Sequence, residues 1–167
     1  MNVESAAAIA NRAVLIVLIA TSVCAKDHND TIDLGDVTAR ITAAKLLKNG
    51  DLDIYLTFIN KTEKDLWIVP GMSASASDDQ GNSYSLRSST GFARQSQSLK
   101  PGPDYGNVYL RLPPKVPTSA SFQFHCAGLR GDNVQAISFK SSLTILRDFR
   151  ERTGYDTSIA IVDYKLN

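Results

Sequence analysis

A chain of 167 residues, 43% of them hydrophobic, has the material for one domain with a sizeable core and is too short for two comfortable ones. Eighteen Lys and Arg against 17 Asp and Glu leave a net charge of +1, which is no electrostatic footprint for nucleic acid or for an anionic membrane surface. Only two histidines are present, so histidine-based catalysis starts with few candidates.

Met1 to Arg12 carries one Arg, the run Ala13 to Ala20 is apolar, and Thr21-Ser22-Val23-Cys24-Ala25 is built of small or short residues. This order predicts a secretory signal peptide over residues 1–25 with cleavage after Ala25. The apolar run is too short to cross a bilayer, which takes about 20 apolar residues, so no stable membrane insertion is expected after cleavage. A lipid anchor on Cys24 would need Leu three residues before it and a small Gly, Ala or Ser just before it. Thr21 and Val23 stand there instead. Cleavage after Ala25 removes Arg12 and Glu4 together and keeps the net charge at +1. It leaves Cys126 as the single cysteine, without an intramolecular disulfide. The expected location is secreted or periplasmic.

Residues 26–36 are polar and read as a mobile leader; residues 37–167 read as one β domain. Val37, Ala39, Ile41 and Ala43 alternate with Thr38, Arg40 and Thr42, and Leu52, Ile54, Leu56 and Phe58 alternate with Asp53, Tyr55 and Thr57. Both are strands with one buried face. Asn49-Gly50 between them predicts a two-residue type I′ hairpin. That turn pairs Leu47 with Leu52, Lys45 with Ile54, Ala43 with Leu56 and Ile41 with Phe58, with Thr42 facing Thr57 on the other side. Lys45 is the one misfit, its stem having to carry the charge to an edge.

Asn60-Lys61-Thr62 closes the second strand; it and Asn29-Asp30-Thr31 are formal glycosylation sequons, expected to be unmodified. Leu66 to Val69 is a short strand stopped by Pro70-Gly71, with Trp67 read as core or rim packing. Asp78-Asp79-Gln80-Gly81 is turn chemistry between two strands. Its two acidic residues are too few for calcium, which takes six or more oxygens. Arg87 to Leu99 reads as a long surface loop or a weak edge strand, followed by the bend Lys100 to Pro103. Val108, Leu110 and Leu112 form a strand ended by Pro113-Pro114. Phe122, Phe124 and Cys126 then point one way, Gln123 and His125 the other. Val134 to Phe139, Leu143 to Leu146 and Ile159 to Leu166 are further strand-like runs, separated by the polar stretch Asp148 to Asp156. Without a convincing amphipathic helix, and with turn signals about every 8 to 12 residues, the pattern is that of an antiparallel β-sandwich. Its expected core includes Ile41, Ile54, Leu56, Phe58, Phe122 and Phe124.

Three pieces in order resemble the immunoglobulin-like extracellular modules of small exported bacterial proteins and lipoproteins of unknown function. They are a hairpin whose second strand ends in Asn followed by a hydroxyl residue (Asp53 to Thr62), and an Asp-x-x-Gly turn leading to an aromatic strand (Asp78 or Asp79 through Gly81 to Tyr84). The third is a Leu-x-Pro-Gly bend with a Gly-x-Val-x-Leu strand ending in Pro (Leu99 to Gly102, Gly106 to Leu110, Pro113). The resemblance spans Val37 to about Phe124. It implies an immunoglobulin-like sandwich and carries over no catalytic residues.

His28 falls in the leader, so a Ser-His-Asp arrangement would have to use His125. The chain has no Gly-x-Ser-x-Gly elbow, zinc helix, phosphate-cradling loop or Cys-x-x-Cys. His125 and Cys126 point to opposite faces of a regular strand and cannot share a metal. Arg147, Arg150 and Arg152 are interleaved with Asp148 and Glu151, which reads as a solvated loop laced with weak ion pairs. The expectation is a binding module without catalysis or cofactor, contacting a protein or cell-envelope component. Its contact surface is read as the loop Arg87 to Tyr105, through Phe92, Arg94 and Tyr105; the competing reading tucks Phe92 and Tyr105 into the sandwich edge. The alternative function is a small hydrolase or ligand carrier using His125, which a concave pocket lined by His125 and a carboxylate would favour.

Overall fold

The computed structural model describes residues 23–25, 31–71, 73–94, 108–128 and 133–166, and every regular element among them is a β-strand. In chain order these are β1 (Val23–Ala25), β2 (Ile32–Asp33), β3 (Val37–Leu46), β4 (Asp51–Asn60), β5 (Leu66–Pro70) and β6 (Ser75–Asp78). There follow β7 (Ser83–Thr90), β8 (Ala93–Arg94), β9 (Val108–Leu112), β10 (Thr118–His125), β11 (Ala136–Asp148) and β12 (Thr153–Lys165). Neighbouring strands run in the order β2-β3-β4-β10-β7-β6-β11-β5-β9-β8, and β12 lies on β11. These pairings are antiparallel. β10 and β11 are not hydrogen-bonded neighbours, yet Phe122 and Phe124 of β10 set their rings 5.5 and 5.8 Å from that of Phe139 on β11. The sheet therefore turns over near β6 and its two halves face each other, which makes the molecule an all-β, immunoglobulin-like antiparallel sandwich.

The period-two pattern of β4 produces this core directly. Leu52, Ile54, Leu56 and Phe58 have no exposed surface, and Phe122 and Phe124 meet them from β10. Ile41, at 5% exposure, completes the expected core. Each such side chain, fully buried, stabilises the fold by about 1.5–3 kcal/mol.

The hairpin is tighter in concept than in fact, and its register differs from the expected one. Gly50 donates to the Leu47 carbonyl at 3.0 Å, Leu47 donates to the Asp51 carbonyl at 2.7 Å, and Gly50 has φ +82. This is a four-residue connection, Leu47 to Gly50, with only its last residue left-handed. Leu46 consequently faces Leu52, Lys45 faces Asp53, and Ala44 faces Ile54. Lys45 is thereby on the outer face, with Nζ 5.7 Å from the centre of the Tyr55 ring, so the apparent misfit disappears. A bulge between Ile41 and Ala43 shifts the phase again, placing Ile41 opposite Leu56 and Ala39 opposite Phe58. The extra residue, Thr42, hydrogen-bonds the Tyr55 carbonyl at 3.3 Å, and Thr57 faces Arg40.

Part of the segment 26–36 is drawn into the fold. Ile32 and Leu34 are buried, and β2 pairs with β3. Tyr155 of β12 locks this entry: its hydroxyl donates to the Leu34 carbonyl at 2.7 Å and accepts from the Asp36 amide at 2.8 Å. Further upstream, β1 runs parallel to β12, Val23 opposite Ile159 and Ala25 opposite Ile161.

Asn60, with no exposed surface, organises the opposite corner. Its Nδ2 donates to the carbonyls of Lys64 and Leu112 at 2.7 and 2.9 Å, and its Oδ1 accepts from the Thr62 amide and hydroxyl at 2.9 and 2.8 Å. The Asn-x-Thr pattern here is thus a structural corner that ties β4 to the end of β9, and its amide nitrogen is not presented to an enzyme.

Candidate functional site

Three strands bring their polar ends together at the Gly50 end of the sandwich. Asp51 is the first residue of β4, and antiparallel pairing sets it opposite His125, the last residue of β10; His125 in turn stands opposite Ser85 of β7. Asp51, His125 and Ser85 therefore form a row across three adjacent strands on the outer face. Two residues along β7 from Ser85, Arg87 reaches the same carboxylate.

The Asp51 side chain is only 5% exposed, against 47% for His125 and 61% for Arg87. His125 Nδ1 lies 2.8 Å from Asp51 Oδ1. Asp51 Oδ2 accepts from Asn49 Nδ2 at 3.0 Å and from Arg87 Nη1 at 3.3 Å, while Asn49 Oδ1 accepts from the Asp51 amide at 3.1 Å. The hydrogen bond from His125 holds the Asp51 carboxyl below the ordinary carboxylate range, against the opposing push of burial, with Asn49 and Arg87 adding to it. An ionised Asp51 selects the imidazole form that carries its proton on Nδ1 and leaves Nε2 for solvent. Beside these groups lies an open cleft of about 690 Å³ lined by Ser83, Ser85, Leu86, Arg87, His125 and Ala127. An imidazole oriented by a carboxylate in this way can take up a proton at Nε2. Together with Arg87 it can also hold a polar group in the cleft.

Sequence reasoning singled out His125 and its exposure, and the buried Cys126 beside it is as expected. It missed Asp51, Arg87 and Ser85. Asp51 reads in the sequence as the residue after a turn, and only the pairing of β4 with β10, strands 74 residues apart at this point, turns it into the partner of His125. An acidic residue buried at a strand end was the available signal, but burial is a tertiary fact.

The other residues singled out in the sequence fall elsewhere. Phe92 is half-buried and packs edge-on against Phe122, ring centres 5.7 Å apart, so it caps the core. The backbone of Arg94 lies in β8, opposite Val108. Tyr105 lies outside the described residues. The stretch read from Arg87 as a long loop or a weak edge strand continues β7 as far as Thr90, because the Ser-rich run finds a ladder partner in β10. Trp67 is rim packing: its ring lies 5.6 Å from Phe149, which lies 4.6 Å from Tyr109. Asp78 spends its carboxylate inside its own turn, accepting from the Gln80 and Asn82 amides, Asn82 Nδ2 and the Tyr84 hydroxyl. Arg147 pairs with Asp36 at 2.6 Å, and Asp148 accepts from the Arg150 and Glu151 amides, consistent with an ion-paired surface turn. No described helix is long and apolar enough to cross a membrane. The described residues hold no group of three His, Cys, Asp or Glu placed to bind a metal.

No protein-family model matches the chain, and no curated protein does. Among solved structures, the chain is similar to the apo PCuAC domain from PmoF1, at 12% identity and TM-score 0.38, over 80% of this chain and 99% of that one. Self-complemented MyfA, the major subunit of Myf fimbriae from Yersinia enterocolitica, is similar at 14% identity and TM-score 0.38, over 80% and 99%. An uncharacterized β-sandwich protein from Clostridium difficile 630 matches at 13% identity and TM-score 0.38, over 85% and 94%. Similarity of this order transfers no activity.

Proposed function

We propose that this chain is an exported binding module, without catalysis, that recognises a protein or cell-envelope component through the cleft beside Asp51, His125 and Arg87. The observation that supports it is the arrangement of the three. A buried carboxylate holds two long, half-exposed donor side chains at the rim of an open cleft, where their orientation is set before any ligand arrives. Groups fixed in this way lose less freedom on binding, which favours recognition. The test is capture of partners from the native exported fraction by the wild-type protein and by Arg87→Ala, His125→Ala and Phe92→Ala. Loss of capture with the first two, in proteins that remain folded, supports the cleft. Loss with Phe92→Ala alone, in a protein that remains folded, moves the contact surface to the β7–β8 region.

A second reading is favoured by the row Ser85–His125–Asp51, which has the residue types of a Ser-His-Asp hydrolase. It requires Ser85 Oγ to pass its proton to His125 Nε2 while attacking an ester or amide carbonyl. Covalent labelling by a fluorophosphonate that is lost in both Ser85→Ala and His125→Ala supports this reading; no labelling disposes of it.

A further inference from the structure

We propose that the group held in this cleft is an anion, a carboxylate or a phosphate, bound between the Arg87 guanidinium and the protonated His125 ring. This inference rests on the binding reading above and names its ligand chemistry. Asp51 cannot serve as the cleft's acceptor, because Oδ1 is taken by His125, Oδ2 by Asn49 and Arg87, and the side chain is 95% buried. What remains toward the cleft is mostly donors. Arg87 has a single 3.3 Å contact among the described residues, and its planar fork of N–H groups suits a two-oxygen anion. His125 adds Nε2, a donor once the ring is charged, and Ser83 and Ser85 add hydroxyls.

Charge balance points the same way. Among the described residues, the charged side chains on the strands of this face around His125 are Asp51 and Asp53 on β4, Lys45 on β3 opposite Asp53, and Arg87 on β7. The two acids and two bases cancel. Protonation of His125, which already faces the Asp51 carboxylate, therefore brings the sum of these charges to +1, and an anion in the cleft balances it. Anion binding and proton uptake are then linked: each stabilises the other. A cation would gain one imidazole nitrogen and meet the guanidinium.

The test follows the His125 ring resonances by NMR while the purified protein is titrated with inorganic phosphate or with acetate, chloride being exchanged to keep ionic strength constant. We expect a saturable shift with a dissociation constant on the order of millimolar, as suits one exposed anion site. Arg87→Gln should weaken binding at least about tenfold, the loss of one charge-assisted fork. Arg111→Gln, on the far side of the sandwich and paired with Asp65, should leave it unchanged. The tighter of the two anions identifies a phosphoryl or a carboxylate ligand. A shift that does not saturate by about 100 mM, or that survives Arg87→Gln, overturns the proposal. The two levels separate cleanly. Partner capture that needs Arg87 yet resists competing phosphate and acetate keeps the binding module and removes the anion, whereas anion binding with no captured partner does the reverse.

Discussion

Replacing Asn60 with Ala takes away a side chain that joins the end of β4 to the end of β9. Four hydrogen bonds go with it. Of the groups left behind, the buried Leu112 carbonyl loses the Asn60 amide, a loss of about 1–3 kcal/mol. The Lys64 carbonyl keeps the Thr62 hydroxyl at 3.0 Å, and the Thr62 amide is close enough to solvent to find water. These partial losses add roughly 1 kcal/mol, so the total is about 2–4 kcal/mol. Against a domain stability of about 5–15 kcal/mol this is a large fraction. Urea unfolding followed by Trp67, whose ring packs on Phe149 and leaves it on unfolding, reads the change. With a slope of about 2 kcal/mol per molar urea, the midpoint should fall by about 1–2 M. Asn60→Asp sharpens the test, since a carboxylate there faces two carbonyl oxygens. Its folded-state pKa is raised, so this variant should be weaker than Asn60→Ala at neutral pH and recover as acid protonates it. A midpoint shift below about 0.3 M for Asn60→Ala would refute the account of this corner.

Phe58→Ala should lower stability by about 3–5 kcal/mol in the same melts, since Phe58 is one of the largest fully buried side chains. Gly50→Val should cost about 1–3 kcal/mol. A β-branched residue resists φ +82 there, and its Cβ would come within 3.1 Å of the Cys126 carbonyl oxygen. Acid should weaken the fold through two carboxylates. His125 lowers the pKa of Asp51; for Asp78 burial acts upward, but the bonds from Asn82 and Tyr84 outweigh it and the net shift is down. A depressed folded-state pKa gives stability that is present above the unfolded value of about 4 and disappears as pH falls through the folded one. Urea midpoints should therefore decline below about pH 4–5, and Asp51→Asn should flatten that decline. Parallel curves for wild type and variant would remove Asp51 from the explanation.

Much of this protein follows from local chemistry. The alternation of Leu52, Ile54, Leu56 and Phe58 decides which face is buried whatever β4 pairs with, and Gly50 ends the turn because few other residues accept its φ. Those choices are made residue by residue, at a period of two, so they are legible in one dimension. Register is different. It hinged on whether the Asn49-Gly50 turn held two residues or four and on a bulge at Thr42, alternatives that no local rule separates; in the register adopted Lys45 lies over the Tyr55 ring and opposite Asp53. The same holds for the cleft. His125 is visible in the sequence as an exposed ring beside a buried thiol, but its meaning comes from Asp51 and Arg87, which arrive on β4 and β7 from distant parts of the chain. A carboxylate acquires its buried, hydrogen-bonded character only when three strands close around it, and strand order is set by how the two halves of the sheet cover one core.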